Sequence, residues 1–195
     1  PIVTGCAFVE NASEPGITMV NGYYSSPTVI TCVFQANREI AMVNAVYSSP
    51  VVTNCIFVGN SGGIYNTEVS SPLVTNCTFV GNSTPYLNAV IVNDAYSSPT
   101  LNSCTFMANT GTTLACGWDS QMRPSSVALV NCILWNDGDE ILNNDGSEIS
   151  ITYCNIEGGY GDPGDHNIDA GPQFVRDPDP GPDGNWDGVD DDYGD

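Results

Sequence analysis

The sequence predicts an all-β chain wound as a parallel β-helix, a solenoid of about seven turns, followed by an acidic, loop-like C-terminal segment. Three observations carry this. One phrase recurs as YSSPTVITCVFQAN (24–37), YSSPVVTNCIFVGN (47–60), VSSPLVTNCTFVGN (69–82) and YSSPTLNSCTFMAN (96–109). Seven cysteines, Cys6, Cys32, Cys55, Cys77, Cys104, Cys132 and Cys154, follow one another at spacings of 22 to 28 residues. That period makes solenoids, because each unit buries its apolar face only against its neighbours. Between the cysteines the signals are strand and turn, with no helical period.

Each turn reads the same way. Pro1, Pro27, Pro50, Pro72 and Pro99 stand five residues before a cysteine, at a strand start where a missing N–H costs the ladder least. Three residues before each cysteine is Val3, Val29, Val52, Val74, Leu101, Leu129 or Ile151, and two after it is Phe8, Phe34, Phe57, Phe79, Phe106, Leu134 or Ile156. These two columns have opposite parity, so both point inward only if the chain bends between them. Gly5, Asn54, Asn76 and Asn131 sit at that bend, and glycine and asparagine accept a left-handed conformation cheaply.

Five residues past the cysteine come Asn11, Asn37, Asn60, Asn82 and Asn109, with Asp137 and Gly159 in the later turns. A stacked column of amides would bond along the rod. A further short strand ends at Asn21, Asn44, Asn66, Asn93 or Asn143 before the next turn begins. Seven turns at one strand spacing each make a rod about 34 Å long.

The cysteines are expected as buried free thiols. Stacked side chains run parallel, a poor match to the dihedral near a right angle that a disulfide needs, and cysteine also serves as a small apolar core residue. Cys116 falls outside the cysteine register, in an insertion, and reads as either free or available for a local or intersubunit bridge.

The chain has no lysine; Arg38, Arg123 and Arg176 stand against a net charge of −20. Nucleic acid is excluded as a partner because three arginines against this charge are too few to displace phosphate counterions. No run of residues approaches the roughly 20 apolar positions of a membrane span. The opening on Pro1, already five residues before a cysteine, reads as a start in mid-repeat and hence as a piece of something longer.

The runs FVEN, FQAN, FVGN (twice) and FMAN, with GGIYN at 62–66, resemble the polymorphic outer membrane protein repeat. They also resemble the wider group of secreted bacterial right-handed β-helix proteins, planctomycete-type surface proteins included. The resemblance covers residues 1 to about 160, and the run IDAGPQFVRDPDPGPDGNWDGVDDDYGD (168–195) is similar to the segment that follows the helix in such proteins. It implies a right-handed solenoid and an extracellular or cell-surface setting with adhesive or structural roles. The β-helix repeats are expected over 1–160, and the composition of 161–195 reads as an acidic, Asp/Gly/Pro-rich calcium-binding-like segment.

Catalysis is not expected. Residues 1–130 contain only Glu10, Glu14, Glu39, Glu68, Asp94 and Asp119 as acids, no two adjacent in sequence, whereas glycoside hydrolysis needs a poised carboxylate pair. The single histidine, His166, lies in an acidic loop outside the repeat and reads as idle. Tyr23, Tyr24, Tyr47 and Tyr96 recur just before Ser-Ser-Pro. An exposed row of them would stack on sugar rings, but packing over the corner of each turn is the preferred reading.

Charge is concentrated at the end of the chain: the last 19 residues hold eight aspartates. Asp183, Asn185 and Asp187, followed by Gly188, match the first half of an EF-hand loop, with oxygen ligands at alternate positions and a glycine for the turn. Gly194 stands where the bidentate glutamate would follow. Asp190, Asp191 and Asp192 offer oxygens in a different wrap, and Asp177 and Asp179 offer a second group. Calcium is therefore the expected cofactor. The combined expectation is an extracellular structural or adhesive surface protein, with copies stacking head to tail into filaments. The alternative is a polysaccharide-binding module or a degenerate carbohydrate-active enzyme.

Overall fold

The computed structural model describes residues 1–12, 16–84, 89–117, 121–161, 165–186 and 190–193. Three parallel sheets wind about one axis. The first holds seven strands: Ile2–Thr4, Thr28–Ile30, Val51–Thr53, Leu73–Thr75, Thr100–Asn102, Ser126–Val130 and Glu148–Thr152. The second also holds seven: Ala7–Val9, Val33–Gln35, Ile56–Val58, Thr78–Val80, Thr105–Met107, Ile133–Trp135 and Asn155–Ile156. The third holds six: Ile17–Asn21, Ile40–Asn44, Ile64–Asn66, Ala89–Asn93, Thr112–Cys116 and Ile141–Asn143. Six turns are complete and the seventh stops after two strands, slightly fewer than the seven expected. Beyond Ile156 the chain enters Gly158 and Gly159, both at positive φ, and among the described residues no strand continues the third sheet.

Like residues stack on like. Val29 pairs with Val52 and Phe34 with Phe57, and the rings of Phe8, Phe34, Phe57, Phe79 and Phe106 form one inward column with centroids 4.6–4.7 Å apart. Each fully buried ring contributes about 1.5–3 kcal/mol from burial alone. The bend before each cysteine is left-handed in every rung, at Thr31, Ser103 and Tyr153 as well as at Gly5, Asn54, Asn76 and Asn131. The stacked rungs impose it even on residue types that resist it.

The eight cysteines are free thiols, seven of them buried and Cys6 exposed. Within the column, the Cys55 thiol donates to Thr53 O at 3.3 Å while its sulfur accepts from Cys32 N–H at 3.4 Å. Cys132 is pushed up to about 12 by its Cys104 neighbour and then by burial, so that thiol stays protonated and inert at neutral pH.

The asparagine ladder forms, with one correction. Asn11, Asn37, Asn60, Asn82 and Asn109 pass amide to amide at 2.7–3.0 Å, and each Nδ2 from Asn37 onward also donates to a phenylalanine carbonyl one rung back. The next member is Asn136, not Asp137: Asn109 Nδ2 donates to Asn136 Oδ1 at 2.9 Å. Asp137 is exposed and takes the positive φ itself, because in this rung the asparagine precedes the left-handed residue instead of following it. Gly159 has no side chain to contribute.

Cys116 lies outside the cysteine column, as expected, but in a strand of the rod and not in an insertion. It ends the fifth strand of the third sheet, paired with Asn93 on one side and Asn143 on the other. It occupies a place in a second amide column, Asn21–Asn44–Asn66–Asn93, whose links are 2.8–2.9 Å long.

His166 does not stand outside the repeat. Residues 165–168 make a partial eighth rung in which Asn167 takes the cysteine's place. Its Oδ1 accepts from Cys154 N–H at 2.9 Å and its Nδ2 donates to Ile151 O at 2.9 Å. Tyr153 N–H donates to Asp165 O and Ile168 N–H to Cys154 O, as between full rungs. His166 holds the left-handed position (φ 59°) and stacks on Tyr153 at 4.9 Å.

The chain then turns back along the outside of the second sheet. Val58, Val80 and Met107 point outward from their strands, opposite in parity to the core phenylalanines. They are nevertheless buried, under Phe174, Trp186 and Tyr193.

Candidate functional site

The corner joining the third sheet to the first is built by the Ser-Ser-Pro phrase. The first serine is buried at Ser48, Ser70 and Ser97 and half-buried at Ser25, and each of the three buried hydroxyls accepts a backbone N–H from the rung before. Ser25 N–H donates to Ser48 Oγ, Ser48 N–H to Ser70 Oγ and Ser70 N–H to Ser97 Oγ, at 3.1–3.2 Å. The second serine works in the other direction: Ser49 N–H donates to Ser26 Oγ, Ser71 N–H to Ser49 Oγ and Ser98 N–H to Ser71 Oγ. The two serines are therefore scaffold, and they fix the residues before them.

Those residues come in pairs at positive φ: Tyr23 and Tyr24, Val46 and Tyr47, Glu68 and Val69, Ala95 and Tyr96. A left-handed residue costs roughly 1–2 kcal/mol outside glycine, and a β-branched one is a true outlier. Backbone bonds along the rod hold them there, with Tyr24 N–H on Val46 O, Tyr47 N–H on Glu68 O and Val69 N–H on Ala95 O, each 2.9 Å.

This conformation turns the second side chain of each pair outward. Tyr24 is 72% exposed, Tyr47 50% and Tyr96 54%, which corrects the expectation that the tyrosines pack over the corner. Tyr24 and Tyr47 stack with centroids 5.1 Å apart and planes 4° from parallel. Val69 interrupts the row. Around it lies an open cavity of about 410 Å³ lined by Tyr47, Glu68, Val69, Tyr96 and Arg123 among others.

The acidic positions are arranged differently from an EF-hand. Asp179 and Asp192 pair as an antiparallel bridge through both backbone bonds, 2.8 Å each. The Asp192 carboxylate meets Arg176 at 2.8 Å. Asp179 Oδ1 accepts from Gly181 N–H, and the Asp190 carboxylate also lies against Gly181. Asp183 accepts from Asn185 N–H at 2.8 Å, which holds its carboxyl below the usual range. Asp177 is exposed and Asp191 half-buried, and Asp187 lies outside the described residues. Among the described residues no three acid, histidine or cysteine side chains converge as a metal-ligating group.

Glu140 had no role in the sequence reading. It is buried at the end of the asparagine ladder, where Oε1 accepts from Asn136 N–H and Oε2 from Asn136 Nδ2 and the Thr113 hydroxyl. Burial pushes its carboxyl up. Both oxygens are committed to the scaffold. Asn136, displaced by one position from the register, is the sequence signal that the ladder changes in this rung.

A family model described as the right-handed β-helix region matches residues 1–127. No curated protein and no solved structure matches the chain. The match spans more than half of the sequence and most of the rungs described above, so the chain belongs to the right-handed β-helix family.

Proposed function

We propose that this chain is part of an extracellular structural or adhesive surface protein, a rigid rod whose working face is the tyrosine-lined corner. One observation carries the reading: Tyr24, Tyr47 and Tyr96 are held outward in one line by the left-handed corner, and each is at least half exposed. Exposed large rings in register suit adhesion to a repetitive surface such as a polysaccharide, because they contribute contact area at little entropic cost. The resemblance to polymorphic outer membrane protein repeats and planctomycete-type surface proteins supports a cell-surface setting. It also supports adhesion over catalysis.

Beads coated with the purified chain should adhere to polysaccharide-coated slides. The triple variant Tyr24→Ala, Tyr47→Ala, Tyr96→Ala should lose adhesion while keeping its melting temperature within a few degrees. Equal adhesion by the triple variant would end this reading.

Head-to-tail stacking into filaments is an extension with a physical obstacle. The partial rung at 165–168 takes the Tyr153 N–H, Cys154 carbonyl and Ile156 N–H on which another copy would sit, so that rung would have to open first. For the acidic segment we propose calcium, with oxygens drawn from Asp177, Asp179, Asp183, Asn185, Asp187 and Asp190 to Asp192. The support is charge: carboxylates at this density repel one another without a counterion.

A further inference from the structure

We propose that the gap over Val69, between the rings of Tyr47 and Tyr96, is a subsite for one neutral pyranose residue of a surface polysaccharide, held between two tyrosine faces. This rests on the reading of the tyrosine corner as the working face, and it names the ligand and its seat.

The register makes the gap. Tyr24, Tyr47, Val69 and Tyr96 occupy the same position in four successive rungs, at φ 62°, 60°, 65° and 65°, tied by the same backbone bond at each step between them. Where two adjacent rungs both carry tyrosine, the rings stack 5.1 Å apart. Valine is far shorter than tyrosine, so in the third rung the ring is missing while its neighbours on either side remain. Two rung steps separate Tyr47 from Tyr96, about 10 Å. With carbon contacts of about 3.5–4.0 Å on each side, that width admits one ring of small thickness and no more.

The chemistry selects among rings. Both tyrosine faces are the negative side of a quadrupole, and a flat aromatic guest, needing only about 7–8 Å for carbon contacts on both sides, is too thin to touch both at once. A pyranose chair presents C–H bonds, positive at hydrogen, above and below its mean plane, and satisfies both faces. Its hydroxyls lie around the rim, where Glu68 and Arg123 line the cavity with one carboxylate and one guanidinium. A hydrocarbon guest would have no use for them. The cavity's 410 Å³ falls within the range of about 300–1,000 Å³ usual for small-ligand clefts. A net charge of −20 repels uronate and sulfated chains, which leaves neutral sugars.

The test is affinity electrophoresis through gels containing dissolved galactomannan, mixed-linkage β-glucan or, as the acidic comparison, polygalacturonate. At least one neutral polysaccharide should retard the native chain, and polygalacturonate should not. Val69→Tyr restores the missing ring, a residue already accepted at this φ in the other three rungs, and should abolish retardation while the fold, read by circular dichroism, persists. Tyr96→Ala opens one side of the slot and should weaken binding about tenfold, which keeps the test sound should the first variant misfold. Tyr153→Ala, on another corner, should change nothing.

If V69Y binds as the native chain does while the triple tyrosine variant does not, the row binds without this subsite; the subsite falls and the adhesive corner stands. If neither neutral polysaccharide retards the native chain, the sugar-binding corner falls and takes the subsite with it. Retardation by polygalacturonate alone would overturn the choice of a neutral sugar.

Discussion

The indole of Trp186 lies flat on the bare backbone of Gly81, and the Trp186 carbonyl sits over Gly59 one rung below. In the second and fifth rungs this left-handed position is alanine, Ala36 and Ala108. Glycine is therefore not demanded by the backbone; the missing Cβ is demanded by tryptophan. A methyl on either glycine would occupy the volume of the indole or its main chain. These two glycines convert an otherwise ordinary sheet face into a seat for the acidic segment, which would otherwise leave Val58, Val80 and Met107 bare to water.

Trp186→Ala should release that segment. Removing a partly buried tryptophan costs about 2–3 kcal/mol, less than the 3–5 of a fully buried one, and for a chain of this size each kilocalorie lowers Tm by roughly 2–4 °C. Limited proteolysis should then cut within 171–193 while the rod survives, and a hydrophobic dye should bind the uncovered valines. Gly81→Ala should act in the same direction through collision, with about 1 kcal/mol more from the left-handed backbone. Unchanged proteolysis in both variants would mean that the segment is not held there by Trp186.

A second weak point is the fifth place in the second amide column. Cys116 stands where the other full rungs have asparagine, and among the described residues Asn93 Nδ2 is buried without a hydrogen-bond partner. Sulfur is a poor acceptor, so the ladder breaks there at a cost of about 1–3 kcal/mol for one orphaned donor. C116N supplies an amide of similar volume and should raise Tm by a few degrees. The Cys116 thiol is pushed up to about 11 by burial, so blocking chemistry at neutral pH should leave it untouched in the native fold. A lower Tm for C116N would show that the strand cannot accommodate the amide.

Glu140 makes stability depend on pH. Burial raises its folded pKa above the unfolded value, so its charged form is the one the fold disfavours. The linkage sign follows: its contribution is fully present below the unfolded carboxyl range, near about 4.3, and is lost as pH rises through the raised folded value. The native chain should therefore gain stability, relative to Glu140→Gln, as pH falls from 7 toward 5. Melting curves of the two proteins across that range give the comparison. Parallel curves would mean that the ladder's hydrogen bonds hold the carboxyl at an ordinary pKa.

How much of this was legible in the residues follows from what each residue answers to. The cysteine, phenylalanine and asparagine columns were readable because a parallel solenoid stacks position on position, so one spacing rule reports both strand and register. The left-handed bend was read only where glycine or asparagine announced it; at Thr31, Ser103 and Tyr153 the neighbouring rungs impose it against local preference. Asn167 was missed because it imitates a cysteine after only 13 residues (167 − 154), inside a segment whose composition reads as linker. The tyrosines were misjudged for a similar reason. A bulky residue at a corner is normally folded inward, and nothing in the sequence marks the two successive left-handed residues that turn these outward. Val69 was visible as the copy that begins with valine instead of tyrosine, but its meaning as a gap depends on ring spacing, which composition does not carry.

Calcium is the remaining test, and it turns on separating a site from screening. The 177–192 stretch closes on itself through the Asp179–Asp192 bridge and the Arg176 ion pair, with Asp179 and Asp190 both drawn to Gly181. Monovalent salt weakens repulsion among all these carboxylates, with a screening length of about 8 Å at physiological ionic strength. It does so whether or not any ion is coordinated. A coordinated divalent ion must do more: at 1 mM, calcium should raise Tm and slow proteolysis of 171–193 beyond the effect of sodium chloride at matched ionic strength. Extracellular calcium sites bind in the range of about 0.1–1 mM, so saturation should fall there. Asp183→Asn together with Asp190→Asn should remove the calcium-specific part and leave the salt effect intact. Coincident melts in calcium, chelator and matched sodium chloride would assign the acidic segment to Trp186 and its apolar neighbours alone.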